Sequence, residues 1–144
     1  MTDGAAAILL CRRDIAKKLN CKIYGRFLSY AVAGVPPKIM GIGPAFAIPA
    51  ALEKAGLKLS DIDVFEVNEA FASQATYCVN KLGIPKDKLN PRGGAIALGH
   101  PLGMTGARMI VTLFHELERT NKKRGLVSMC IGTGMGACGV FERE

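Results

Sequence analysis

The segment Ile62-Asp63-Val64-Phe65-Glu66-Val67-Asn68 decides the fold, because it reads as an alternating strand with a helix directly behind it. Residues 69–82 carry Ala70, Phe71, Ala75, Cys78 and Val79, a mostly small-residue face suited to close packing on a sheet. Gly83 and Pro85 end that helix. Downstream, residues 90–106 form a glycine-rich loop and residues 107–119 an amphipathic helix. Residues 125–131 and 137–142 are two strands joined by Gly132-Thr133-Gly134-Met135-Gly136. Upstream, residues 12–19 read as a short helix and 23–35 as a longer strand stopped by Pro36-Pro37. A helix runs from Pro44 to Ala55 with Gly56 as its cap, although Pro49 sits awkwardly inside it. The uninterrupted apolar run from Ala5 to Leu10 suits a strand buried on both faces. Strands alternating with helices, then a terminal strand pair, predict one α/β domain over residues 1–144. Its mixed five-stranded sheet carries helices on both faces.

The chain has 144 residues, of which 49% are apolar and 22% charged, which excludes a disordered polymer. Arg12, Arg13, Asp14, Arg26, Lys38 and Glu53 break the apolar runs before any reaches membrane-spanning length, so no membrane is expected as partner. Five cysteines at irregular spacings make no disulfide framework and favour a reducing compartment. No CxxC or HxxxH spacing is present, and no metal is expected. A net charge of +7 raises the question of an anionic partner. With no tryptophan, 6% aromatics and no nucleic-acid motif, nucleic acid is not expected. Phosphate-bearing small molecules stay open. The basic run Lys122-Lys123-Arg124 reads as a solvated turn.

Three segments place unusual residues at strand ends, where open α/β sheets keep their sites. Ten of the 17 glycines fall between Gly93 and Gly139, a density that suits backbone approached closely by something else. Asn68 either caps the helix behind it or orients a water or a carbonyl. His100 lies between Gly99 and Pro101 ahead of a helix, so its imidazole is either a well-bonded turn residue or an aimed one. His115, mid-helix beside Glu116, reads as a surface residue. Cys130 ends a strand at a glycine-rich turn that leaves sulfur and backbone N–H groups accessible. Cys11, Cys21, Cys78 and Cys138 read as inert packing. Cysteine, histidine and backbone donors together are the parts of acyl transfer through thioesters.

Asn68-Glu69-Ala70-Phe71, Gly99-His100-Pro101 and Cys130-Ile131-Gly132 with a following Gly-Met-Gly resemble, in order and spacing, the three carboxy-terminal signatures of the thiolases. With Val35-Pro36-Pro37-Lys38-Ile39-Met40-Gly41 they look most like the 3-ketoacyl-CoA thiolases of peroxisomal type, from about Asp3 to Phe141. The resemblance implies a thiolase-like half-subunit that cleaves a 3-ketoacyl-CoA with coenzyme A as co-substrate. No bound cofactor or metal is implied. By that resemblance Cys130 moves protons between the acetyl carbanion and the incoming thiol, and His100 activates the nucleophile. Asn68 holds a water in the first oxyanion hole, and the Gly132 N–H serves the second. Met40 and Phe71 contact the acyl and pantetheine portions. The implied partners are CoA thioesters, an amino-terminal thiolase half and a second copy in a homo-oligomer. The implied location is the peroxisome.

The motif around the acylated cysteine of thiolases is not found around Cys11 or Cys21. The chain is therefore read as the carboxy-terminal half, inactive alone. The alternatives are a non-enzymatic module that binds CoA or associates with subunits, and a β-ketoacyl synthase relative. Cys130 followed by Ile-Gly argues against the last.

Overall fold

The computed structural model describes residues 2–144; Met1, the first residue of the expected domain, lies outside them. Four strands form one sheet: β1 (Gly25–Gly34), β2 (Val64–Val67), β3 (Arg124–Ile131) and β4 (Met135–Arg143), in the order β1-β4-β3-β2. β4 is antiparallel to both its neighbours, and β2 runs parallel to β3. The sheet is mixed, as expected, but four-stranded and not five-stranded. The run from Ala5 to Leu10 pairs with nothing among the described residues, and Leu9 and Leu10 are 79% and 82% exposed. An apolar run requires cover, and its periodicity does not say which surface supplies it.

Alternation within β2 sends its side chains to two separate cores. Phe65 and Val67 join Ile48, Leu52, Val79, Leu126 and Val140 beneath α2 (Pro44–Ala55) and α3 (Ala72–Leu82). Val64 joins Met109, Leu113, Leu117, Val127 and Phe141 beneath α5 (Thr105–Arg119). Helices thus cover both faces. Two of them depart from the sequence reading. α3 begins at Ala72 and not at Glu69, because residues 68–71 are occupied with the site described below. A four-residue helix, α4 (Ala95–Leu98), stands inside the glycine-rich loop. α1 (Arg13–Lys18) and α2 fall where expected, and α2 accommodates Pro49 in its interior.

Backbone meets backbone where α2 joins the sheet. A Cβ on Gly43 would strike the main chain of Gly136, and one on Gly136 would strike that of Gly43. The two glycines let the start of α2 press directly on β4. This contact fixes the turn at Pro37–Ile42, which packs on both α3 and β3.

Candidate active site

Asn68 stands one residue past β2, and its backbone N–H continues the ladder by donating to the Ser128 carbonyl at 2.9 Å. Its own carbonyl accepts from Gln74 Nε2 at 3.3 Å, so strand end and helix α3 are tied together through this residue. Asn68 does not cap a helix. It is 1% exposed, and its side-chain amide donates to His100 Nε2 at 3.2 Å. The structure therefore brings two of the expected site residues into direct contact.

The other nitrogen of His100, Nδ1, lies 2.7 Å from the Thr105 hydroxyl, which in turn donates to the Pro101 carbonyl at 2.9 Å. A hydroxyl whose proton is spent on a carbonyl can only accept from the ring, so Nδ1 carries the hydrogen. Nε2, facing an amide NH2, then holds a lone pair. This chain of donors defines one neutral tautomer, poised to accept a proton at Nε2. Burial, and secondarily the positive charge of Arg108, lower the pKa of His100 below its ordinary value of 6.5. Gly99 supplies the approach to the ring through a backbone φ of +89°, strained for any side chain. Thr105 was not singled out in the sequence; the available signal was a hydroxyl residue at the first position of the helix behind an aimed histidine.

Glu69 organises the loop that carries His100. Its carboxylate accepts from the Ile96 N–H at 3.0 Å in α4 and from Asn90 Nδ2 at 3.3 Å. Asn90 in turn bonds both backbone groups of Val67 at 2.9 Å, completing the β2 edge with a side chain.

Cys130 lies at the adjacent strand end. It shares its strand face with Leu126, toward α3, whereas Asn68 faces α5, so the candidate residues straddle the C-terminal edge of the parallel pair. The sulfur is buried, and no other side chain among the described residues is hydrogen-bonded to it. Burial pushes its thiol pKa up, which keeps Cys130 protonated at neutral pH. Gly132 follows in an exposed turn where a Cβ would meet nothing within 4 Å, so its backbone is open to approach. Met40 sits half-buried in the turn that packs on α3 and β3, and Phe71, 65% exposed, immediately precedes α3. Among the described residues neither Cys130 nor Gly132 is hydrogen-bonded to the Asn68–His100 pair. A cavity of about 410 Å³ beside Glu69, Ala75 and Lys86 contains none of these residues.

Cys78 and Cys138 are buried, as expected, and burial pushes the Cys138 thiol up to about 12. Cys11 and Cys21 are exposed, against expectation, because the segment that carries them packs on no core. His115 is exposed and meets the Tyr24 ring edge-on at 5.7 Å. No three His, Cys, Asp or Glu side chains among the described residues converge as a metal site would need. Among the described residues no helix is long and apolar enough to cross a membrane.

Residues 21–143 match the family model described as "Thiolase, C-terminal domain". The chain is 68% identical over 143 residues to 3-ketoacyl-CoA thiolase B, peroxisomal, of Rattus norvegicus. That match covers 99% of this chain and 34% of the relative. Among solved structures, the dimeric peroxisomal thiolase of Saccharomyces cerevisiae superposes with a TM-score of 0.87 at 59% identity, covering 92% of this chain and 34% of that one. Human mitochondrial 3-ketoacyl-CoA thiolase in complex with CoA gives 0.88 at 47%, covering 92% and 34%. The chain thus spans about a third of the length of the relatives it matches.

Proposed function

Since the chain belongs to the thiolase family as its C-terminal domain, we propose that it supplies the base and the proton shuttle of a 3-ketoacyl-CoA thiolase. The acylated cysteine comes from an amino-terminal half. The reaction is thiolysis: a 3-ketoacyl-CoA and CoA become acetyl-CoA and an acyl-CoA shortened by two carbons. The observation that carries this reading is the Asn68–His100–Thr105 chain, which fixes the Nδ1–H tautomer and keeps the Nε2 lone pair for a donor, met in this structure by the Asn68 amide and in catalysis by the cysteine thiol.

His100 Nε2 takes the proton of the nucleophilic cysteine as its sulfur attacks the keto carbonyl. The imidazolium N–H then faces the developing oxyanion, which is stabilised most when donors are already aimed. Asn68 holds a water as the second donor. As the carbon–carbon bond breaks, the acetyl-CoA carbanion takes the proton of Cys130, whose thiol burial keeps protonated. The Cys130 thiolate next removes the proton of the incoming CoA thiol, which attacks the acyl-enzyme while the Gly132 N–H receives the second oxyanion; the acyl–sulfur bond breaks, and the released cysteine takes its proton back from His100 Nε2. Met40 and Phe71 contact the acyl and pantetheine portions of the substrate. The location is peroxisomal and the working form a dimer, by likeness to the rat and yeast proteins.

The test is a graft: this chain replaces the matching third of the Rattus norvegicus enzyme. The graft is expected to cleave a 3-ketoacyl-CoA in the presence of CoA. Its Cys130→Ala form should still be acylated by a labelled acyl-CoA while thiolytic turnover collapses. A well-assembled dimer that acylates but never turns over with Cys130 in place would overturn the reading.

A further inference from the structure

Among the described residues, the buried side-chain nitrogen and oxygen atoms left without a hydrogen-bond partner are Glu66 Oε1 and Oε2, Asn68 Oδ1 and Arg108 Nη1. They belong to three side chains only. Glu66 and Asn68 are two residues apart on β2 and its end, so they point to the same face, the one covered by α5. Arg108 lies one turn into α5, and its Nη1 is 3.6 Å from Glu66 Oε2. The Glu66 side chain is 1% exposed, so this ion pair is desolvated and loosely closed. Loose closure matters because a guanidinium can only donate, whereas the ionised Glu66 carboxylate and the Asn68 amide oxygen can only accept.

We propose that Glu66 and Arg108 are positioning residues for the reaction proposed above: Glu66 holds Arg108 on the sheet face that Asn68 shares, and the guanidinium, through one water, claims the Asn68 amide oxygen. That arrangement commits the amide NH2 to His100. With the amide reversed, its NH2 would face the hydrogens of that water, donor against donor, and its oxygen would face Nε2. Nε2 would then have to carry a hydrogen and would no longer be a base. The ion pair therefore selects which end of Asn68 the imidazole meets, and through it which ring nitrogen is free. The same cation disfavours a second proton on His100, in line with the direction of its shift. Burial raises the Glu66 carboxyl to about 7, while Arg108 opposes this and Glu116 and Glu69 reinforce it. The charged groups around the pair are thus Glu116 on the same helix, Glu69 from the loop, and His100 itself.

A merely structural ion pair can be exchanged for packed apolar residues with little loss, often with a gain in stability. The decisive variant is therefore Glu66→Met with Arg108→Met. In the 144-residue chain labelled with ¹⁵N, the ring shifts of His100 report its tautomer and titration midpoint independently of any activity. The parent should show Nδ1–H alone, and the double variant a mixed tautomer with a raised midpoint. An unchanged tautomer and midpoint would overturn the proposal. In the rat graft the double variant should lose about tenfold to a hundredfold in kcat, the scale of a misplaced catalytic group, with KM little altered. Its acid limb should move to higher pH, and Arg108→Lys alone should recover part of the loss. Full kcat in the double variant would overturn it equally. Should the parent graft fail to turn over, the thiolase reading falls while the ¹⁵N result still decides the role of the pair.

Discussion

The two adjacent strand ends of the candidate site are built in opposite ways. At the end of β2, Asn68, His100 and Thr105 form a bonded chain with separations of 3.2 and 2.7 Å, and Glu69 and Asn90 brace the loop around it. At the end of β3, Cys130 is held by its strand and its burial alone, and the turn after it is open. One corner fixes direction and the other leaves access. A base must present one nitrogen to one atom. A proton carrier that serves first a carbon and then a thiol has two positions to reach, and a sulfur with no side-chain anchor can reach both.

The largest effect should come from removing the directed group. In the graft, His100→Ala should slow acyl-enzyme formation itself by ~10²–10⁴-fold, the usual share of a positioned acid–base group. Quench-flow acylation measures it directly. Equal acylation by His100→Ala and parent would erase the difference between the corners. Next in size is Thr105→Val, which keeps the volume and deletes the hydroxyl. It should cost about tenfold in kcat through loss of orientation, with Thr105→Ser restoring most of it.

The pH dependence has a defined sign. In the proposed role His100 acts in its neutral form, and its pKa lies below 6.5, so the acid limb of kcat/KM should also lie below pH 6.5. A limb above 6.5 would contradict the burial described for the ring. Thiol alkylation sharpens the other corner. Exposed Cys11 and Cys21 should react first with iodoacetamide at neutral pH. Cys130 should follow only as pH rises, and Cys138, at about 12, should come last. Alkylation of Cys130 ahead of the exposed pair would reveal a thiolate that burial does not predict. The smallest effect is expected for Gly132→Ala. Its new methyl meets nothing, so stability to urea should change by less than about 0.5 kcal/mol even where catalysis suffers.

Much of the fold is legible in the sequence. β2 and the helix behind it, the amphipathic α5 and the terminal strand pair all follow from local periodicity, and local periodicity is what a packed layer imposes on a chain. His100 was readable because glycine and proline flank it. Thr105 was harder, since its role depends on a loop folding back five residues. The Glu66–Arg108 pair was invisible, because 42 positions separate its members and no local pattern joins them. The run from Ala5 to Leu10 misled for the converse reason. Its apolar character is real, but the run lies before the family match, which begins at residue 21, and it packs on no core.

The pairing of β1 with β4 sets a clock on biosynthesis. Gly34 faces Met135 and Gly25 faces Arg143, partners separated by a hundred residues or more. At roughly 5–20 residues per second on a ribosome, β1 waits on the order of 5–20 s for its neighbour to emerge. Throughout that interval Leu28 and Ala31 have no β4 beside them, and Phe27, Tyr30 and Val32 present an apolar ribbon to whatever is near. Crowded polysomes would place identical ribbons side by side, so the yield of soluble product should depend on holdase chaperones during those seconds more than on final stability.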